Sequence, residues 1–156
     1  MKVAIQGLGE VPASVLLVLE NEKPDISYII CSEYQLKHVA TEAGYSKSNK
    51  ELIDEAAQKL GVNVQYHLCD VFNPQEVGKV IGKILEKVDT KNDELIVNYT
   101  GGSAVVRLLL GTTGIISSTL MKAKVVYAIK YPGGIERTDD HTEVLKDIFK
   151  RLSIIP

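Results

Sequence analysis

Two glycine-bearing turns contain residue types and spacings that suit the binding of an anion. One turn is Gly7-Leu8-Gly9-Glu10-Val11, and the other is Thr100-Gly101-Gly102-Ser103. Glycine lets a backbone come close to a ligand, and the free N–H groups at the start of a helix attract negative charge. The sequence leaves the use of the Thr100 and Ser103 hydroxyls open, because each suits either a helix cap or a hydrogen bond to phosphate.

Each turn lies between a predicted strand and a predicted helix. Short apolar runs with β-branched residues predict strands at Lys2 to Gln6 and at Leu95 to Tyr99. Pro12 suits the first turn of the next helix, and the apolar segment from Ala104 to Leu120 predicts another helix. Open α/β sheets bind ligands at the carboxyl ends of their strands, where the strand order reverses. We therefore expect the two turns to flank one crevice.

Strands and helices alternate along the remainder of the chain. This alternation predicts a Rossmann-like, doubly wound α/β fold, with a mostly parallel sheet and helices on both faces, in a single domain over residues 1–156. A turn at 131–134 is expected before a polar segment from Thr138 that ends in an amphipathic helix near Leu152. The other predicted elements are strands at Ile26 to Cys31, Val62 to Leu68 and Lys124 to Lys130, and helices at Glu33 to Ala43, Ser48 to Leu60 and Asn73 to Val88.

Composition and charge exclude several classes of function. A formal net charge of -2 disfavours direct binding of long nucleic acids, which requires a basic face, but it allows a small anionic ligand. Arg107 and several polar residues interrupt the apolar segment after Ser103, so this segment is interpreted as a buried helix and no membrane association is expected. Cys31 and Cys69 form no CxxC pair and are interpreted as buried thiols of a cytoplasmic protein.

The histidines give no indication of a metal centre. His38, His67 and His141 share no spacing typical of metal ligands. Neither a metal nor another cofactor is therefore predicted.

One alternative is a dinucleotide such as NAD. Gly7-Leu8-Gly9 after a strand begins the dinucleotide-binding fingerprint, and Glu33 stands where an acidic residue would bind a ribose hydroxyl. However, Pro12 occupies the position of the third glycine, and the chain has no second domain for a substrate. The match is incomplete, and dinucleotide binding is kept as an alternative.

Both turns resemble those of the CRISPR-associated Rossmann fold (CARF) family, whose members sense cyclic oligoadenylate second messengers. Tyr99-Thr100-Gly101-Gly102-Ser103 is similar to the family's Thr-Gly-Gly-Thr-Lys signature, and Gly7 to Pro12 opens the first helix as in that family. The resemblance extends in order and spacing from Lys2 to about Gly134. It implies a homodimer that binds a ring of four or six adenylates, with four favoured, on a two-fold axis through the crevice. The apolar helix after Ser103 is then either ordinary core, which we favour, or part of that interface.

The resemblance also implies which residues bind the ligand. It places the ring against both turns and against the end of the second strand. The implied ligand-binding residues are Gly7, Leu8, Gly9, Glu10, Val11, Ser32, Glu33, Thr100, Gly101, Gly102, Ser103 and Arg107.

Several CARF proteins of this size are similar to metal-independent ring nucleases, in which a ribose 2′-hydroxyl attacks the neighbouring phosphodiester. The chain departs from their pattern, because Val11 replaces a serine of the first loop and Ala104 replaces the lysine after the signature. Ser14, Arg107 and Lys130 are the candidate catalytic donors in their place. Arg107 is favoured, because a charge within an apolar helix is costly unless it is paired or reaches a ligand. The alternative is a non-catalytic sensor module of a longer effector.

Overall fold

A six-stranded sheet forms the centre of the protein. The computed structural model describes residues 1–130 and 134–154, so the predicted turn at Tyr131-Pro132-Gly133 and the terminal Ile155-Pro156 lie outside the described residues. The strand order is β3-β2-β1-β4-β5-β6; the first five strands are parallel and β6 pairs antiparallel with β5. The strands are β1 Lys2–Gly7, β2 Ile26–Cys31, β3 Asn63–Leu68, β4 Glu94–Asn98, β5 Ala123–Lys130 and β6 Glu136–Asp140.

Helices cover both faces of this sheet, which confirms the predicted Rossmann-like, doubly wound α/β fold. Alternate residues of β1 and β4 point to opposite faces: Ile5 and Val97 pack under α4 and α5, whereas Ala4 and Ile96 pack under α1. No helix of the described chain is long and apolar enough to cross a membrane. The helices are α1 Ala13–Glu22, α2 Glu33–Lys37, α3 Asn49–Leu60, α4 Pro74–Leu85, α5 Ala104–Leu120 and α6 Thr142–Ile154.

One predicted helix is shorter in the structure. The helix predicted from Glu33 to Ala43 was wrong in its length: α2 ends at Lys37, His38 is extended, and Thr41–Ala43 forms a separate 3-10 turn. Asn49 is the first residue of the next helix, and its N–H donates to the His38 carbonyl at 2.9 Å. This hydrogen bond keeps His38 extended, so α2 cannot continue through it.

The strand β6 was not predicted. Its sequence, Glu-Arg-Thr-Asp-Asp, is polar and has low intrinsic β propensity, so it resembles a loop. Pairing along β5, from Val126 opposite Asp140 to Lys130 opposite Glu136, imposes the extended form. Tertiary context overrides local preference here.

A row of buried hydrogen bonds crosses the sheet beneath the two glycine turns. Gln6 donates to the Ser27 hydroxyl at 2.9 Å and accepts from the Asn98 amide at 2.8 Å. The Thr100 hydroxyl donates to Asn98 Oδ1 at 2.7 Å and accepts from the Ala128 N–H, also at 2.7 Å. Because unpaired buried polar groups are costly, this row fixes the register of β2, β1, β4 and β5 directly below the turns.

Candidate ligand-binding site

The two glycine turns lie in direct contact at the carboxyl ends of β1 and β4. A Cβ atom at Gly101 would lie 2.7 Å from the Gly7 carbonyl oxygen and 3.0 Å from Ser14 Oγ. Gly102 has a φ of +102°, a conformation that other residues rarely adopt. The sequence suggested that these glycines allow close approach of a ligand; the structure shows that they also allow the close approach of the turns to each other.

Both turns contain backbone N–H groups that donate no hydrogen bond within the described residues. They precede or begin α1 and α5, where the aligned peptide dipoles add partial positive charge. Grouped donors of this kind bind anions such as phosphate. The groups belong to Gly9, Glu10, Val11, Gly101, Gly102 and Ser103.

The hydroxyls of the second turn are engaged within the protein. Ser103 caps α5, because its Oγ accepts from the Val106 N–H at 3.1 Å, and the same hydroxyl donates to the Val71 carbonyl. The Thr100 hydroxyl belongs to the buried row described above. Both hydroxyls therefore have structural hydrogen bonds here, and their contact with a ligand stays a prediction. Backbone donors are available to an anion.

A cavity of about 320 Å³ opens beside the turns, at the carboxyl ends of β1, β2 and β3. Tyr34 and Phe72 at this cavity are 63% and 77% exposed, and exposed aromatic rings suit stacking with a nucleobase. Neither residue was predicted to belong to the site. The signal in the sequence that could have indicated them is an aromatic residue shortly after a predicted strand. The cavity is lined by Glu10, Ser32, Tyr34, Gln35, Asp70, Val71 and Phe72.

Asn49 positions the first turn against α2. Its side chain is fully buried, and its amide donates to the carbonyl oxygens of Glu10 at 2.8 Å and Gln35 at 2.9 Å. Asn49 lies far from Glu10 in the sequence, and asparagine at the start of a helix has a common local explanation. Sequence reasoning therefore missed this residue.

A second cavity, of about 350 Å³, lies beside α5 and includes Tyr99, which directly follows β4. Tyr99, Tyr127 and His141 cluster there: the Tyr99 hydroxyl bonds to His141 Nδ1 at 2.7 Å, and the Tyr127 and His141 rings stack 5.7 Å apart. Burial raises the pKa of Tyr99, which keeps its hydroxyl protonated. The cavity is lined by Tyr99, Arg107, Leu108, Gly111, Thr112, Ile115, Tyr127 and Leu145.

Arg107 is exposed at the mouth of this second cavity. The inference that its charge is buried within an apolar helix is therefore wrong, because the apolar residues that face the core are its neighbours Val106 and Leu110. Its guanidinium forms no hydrogen bond or ion pair among the described residues. It is a charge available to an external anion.

The other predicted residues occupy different surroundings. Ser32 caps α2 and also lines the first cavity. Glu33 forms an ion pair with Lys37 at 2.8 Å, and the hydrogen bond from Lys37 lowers the pKa of the Glu33 carboxyl. Ser14 faces the second turn, whereas Lys130 pairs with Glu136 across the β5–β6 ladder at 3.2 Å. The structure thus brings Ser14 to the junction of the turns and pairs Lys130 elsewhere.

Comparison with known proteins gives a match in structure alone. No protein-family model and no curated protein sequence matches the chain. Csm6 of Enterococcus italicus, bound to cyclic hexa-2′-fluoro-hexa-dAMP, superposes with a TM-score of 0.62 at 13% identity, over 100% of this chain and 41% of that protein. The chain shares its fold with part of that protein.

Two further solved structures share this fold. Can2 from Sulfobacillus thermosulfidooxidans, in complex with cyclic tetra-adenylate, gives a TM-score of 0.56 at 14% identity over 88% of this chain and 36% of that protein. A type III CRISPR defence DNA nuclease activated by cyclic oligoadenylate gives 0.52 at 15% identity over 90% of this chain and 21% of that protein. The chain thus spans well under half the length of each of the three proteins.

Proposed function

We propose that the chain binds a cyclic oligoadenylate, with cyclic tetra-adenylate favoured, in type III CRISPR antiviral signalling in the cytoplasm. The observation that carries the proposal is the group of unused N–H donors in two touching turns, on a fold shared with proteins solved with cyclic adenylates. Phosphates of the ring bind these donors. Adenines stack on Tyr34 and Phe72 at the adjoining cavity.

The ligand is expected to sit between two copies of the chain. A ring with two-fold symmetry matches a two-fold interface, because each half-site then contacts the same groups. Exposed apolar side chains on α5 and α6 support a homodimer, since a monomer gains nothing from leaving them in water. They include Leu108, Ile116, Val144, Ile148, Phe149 and Leu152.

Cleavage of the ring is a second function, favoured by the position of Ser14 Oγ beside the second turn. In this reaction a ribose 2′-oxygen bonds to the adjacent phosphorus, the 5′-oxygen leaves with a proton, and a 2′,3′-cyclic phosphate remains. The chain would align the attack and stabilise charge on the phosphate through Ser14 and Arg107. Lys130 could contribute only after leaving Glu136.

Labelled ring incubated with the protein in EDTA separates the enzyme from a sensor module. A linear product with a cyclic phosphate end supports cleavage, and Ser14→Ala should then slow it. Intact ring supports the non-catalytic sensor. A thermal-shift panel that includes NAD tests the dinucleotide alternative, which predicts stabilisation by NAD and none by the rings.

Arg107 provides a residue-level test of ligand binding. A charge-assisted hydrogen bond contributes roughly 1.5–3 kcal/mol, so Arg107→Ala should weaken ring binding about 10- to 100-fold. Lys91→Ala, a loss of charge in the loop before β4 at the opposite end of the sheet, is the matched control. If the two variants bind the ring with equal affinity, Arg107 does not contact the ligand.

A further inference from the structure

A mixed cluster of carboxylates and imidazole lies beside the first turn. One ligand atom from each of Glu10, His38 and Glu42 lies within 4.8 Å of the other two. His38 Nε2 lies 3.6 Å from Glu42 Oε1. Three separate elements bring them together: the loop after β1, the residue that ends α2, and the 3-10 turn.

His38 has a buried nitrogen without a partner. Its Nε2 is inaccessible to solvent and forms no hydrogen bond with the described residues, because the 3.6 Å separation from Glu42 is too long for one. Buried polar atoms are nearly always satisfied, so an orphaned imidazole nitrogen at two carboxylates points to a missing bonding partner.

Asn49 adds a second orphaned atom in the same region. Its Oδ1 is buried and unpaired, although its amide nitrogen holds the Glu10 and Gln35 carbonyls. Its backbone N–H also bonds to the His38 carbonyl at 2.9 Å. Asn49 thus fixes the backbone of two members of the cluster, which keeps their side chains near each other without any ligand.

We propose that Glu10, His38 and Glu42 bind a divalent first-row transition metal ion. One imidazole nitrogen and two carboxylate oxygens suit Zn²⁺ or Mn²⁺ better than Mg²⁺ or Ca²⁺, which favour oxygen alone. Tetrahedral bonds of about 2.1 Å place donor atoms about 3.4 Å apart, close to the His38–Glu42 separation. The Glu10 side chain is exposed, so its rotamer is free to bring a carboxylate oxygen to the ion.

The site has a consequence for the ring, and this consequence rests on the proposed function. Glu10 lines the first cavity, where its negative charge opposes a polyanionic ligand. A bound cation neutralises that charge. Metal and ring should therefore each raise the affinity of the protein for the other by the same factor.

Titration of the metal alone tests the site without the ring. Chelator-treated protein is titrated with ZnCl₂ and with MnCl₂ by calorimetry. We expect one ion per chain for at least one metal, and binding weakened about 10-fold or more by His38→Ala and by Glu42→Gln. Glu42 is exposed, so its variant is expected to fold as the parent does. His67→Ala, which changes a histidine on β3 outside the cluster, should leave the stoichiometry unchanged.

Two results would overturn the site. One is the absence of saturable binding of either metal, and the other is binding that both the His38 and Glu42 variants retain at full affinity. Because no ring is present in this titration, a failure of ring binding leaves its result intact.

Discussion

Gly7 keeps the two turns in contact because it has no side chain. A Cβ at this position would lie 2.7 Å from Val106 Cγ1 and closer still to the Gly101 carbonyl oxygen, which cannot rotate away. Gly7→Ala should therefore lower the free energy of unfolding by about 2 kcal/mol or more, measured by urea denaturation.

Gly78 in α4 is the matched control, because a Cβ there meets nothing within 4 Å. Gly78→Ala should stabilise the protein by up to about 1 kcal/mol through helix propensity. Equal effects of the two substitutions would contradict the packing described for the turns.

His67 makes stability depend on pH. Burial, followed by the charges of Lys87 and Lys83, lowers the pKa of His67 below its ordinary value of 6.5. The unfolded chain then takes up a proton at this residue before the folded chain does. The free energy of unfolding therefore retains its full value with respect to His67 above pH 6.5. It decreases as the pH falls from there towards the pKa of His67 in the folded protein.

Unfolding measured at pH 7.5 and pH 5.5 tests this assignment. His67→Gln should show a smaller loss of stability between these pH values than the parent protein. An unchanged pH dependence in the variant would mean that other groups cause it.

At the scale of the elements, the two strands that precede the glycine turns could be predicted from the local pattern of apolar residues. The apolar run of β1 ends at Gly7, and Gly101 follows β4 after Tyr99 and Thr100, so strand, turn and helix could be predicted from contiguous residues. The rest of the site is non-local: Asn49 meets Glu10, and His38 joins the same region, through contacts that no short segment reveals. Likewise, β6 is extended only because it pairs with β5.

The loop after β3 provides a prediction at this scale. Phe72 is largely exposed in a turn where its N–H bonds to Asp70, so its ring contributes little to folding. Base–aromatic stacking contributes about 1–3 kcal/mol per base, so Phe72→Ala should weaken ring binding roughly 5- to 100-fold without changing thermal stability.

Leu68→Ala is the control for Phe72, since Leu68 is an exposed apolar residue on β3 that does not line the cavity. It should bind the ring as the parent does. If the Phe72 variant binds equally well, the proposed adenine position is incorrect.

At the scale of the whole molecule, α5 and α6 expose apolar side chains that the proposed homodimer would cover. Ile116 and Ile148 are each 50% exposed. The double substitution Ile116→Glu and Ile148→Glu should convert dimers into monomers, measured by light scattering during size exclusion, because buried unpaired carboxylates are costly. Lys79→Glu on α4 should remain dimeric, and a parent protein that is monomeric with and without ring would refute the dimer.

Calorimetric titration of cyclic tetra-adenylate and cyclic hexa-adenylate tests ligand binding by the two turns most directly. The turns present unused N–H donors next to a cavity with two exposed aromatic rings, and a two-fold arrangement doubles this surface. We predict saturable binding of at least one ring, with cyclic tetra-adenylate favoured, at one ring per two chains. Absence of binding to both rings would contradict the proposed function.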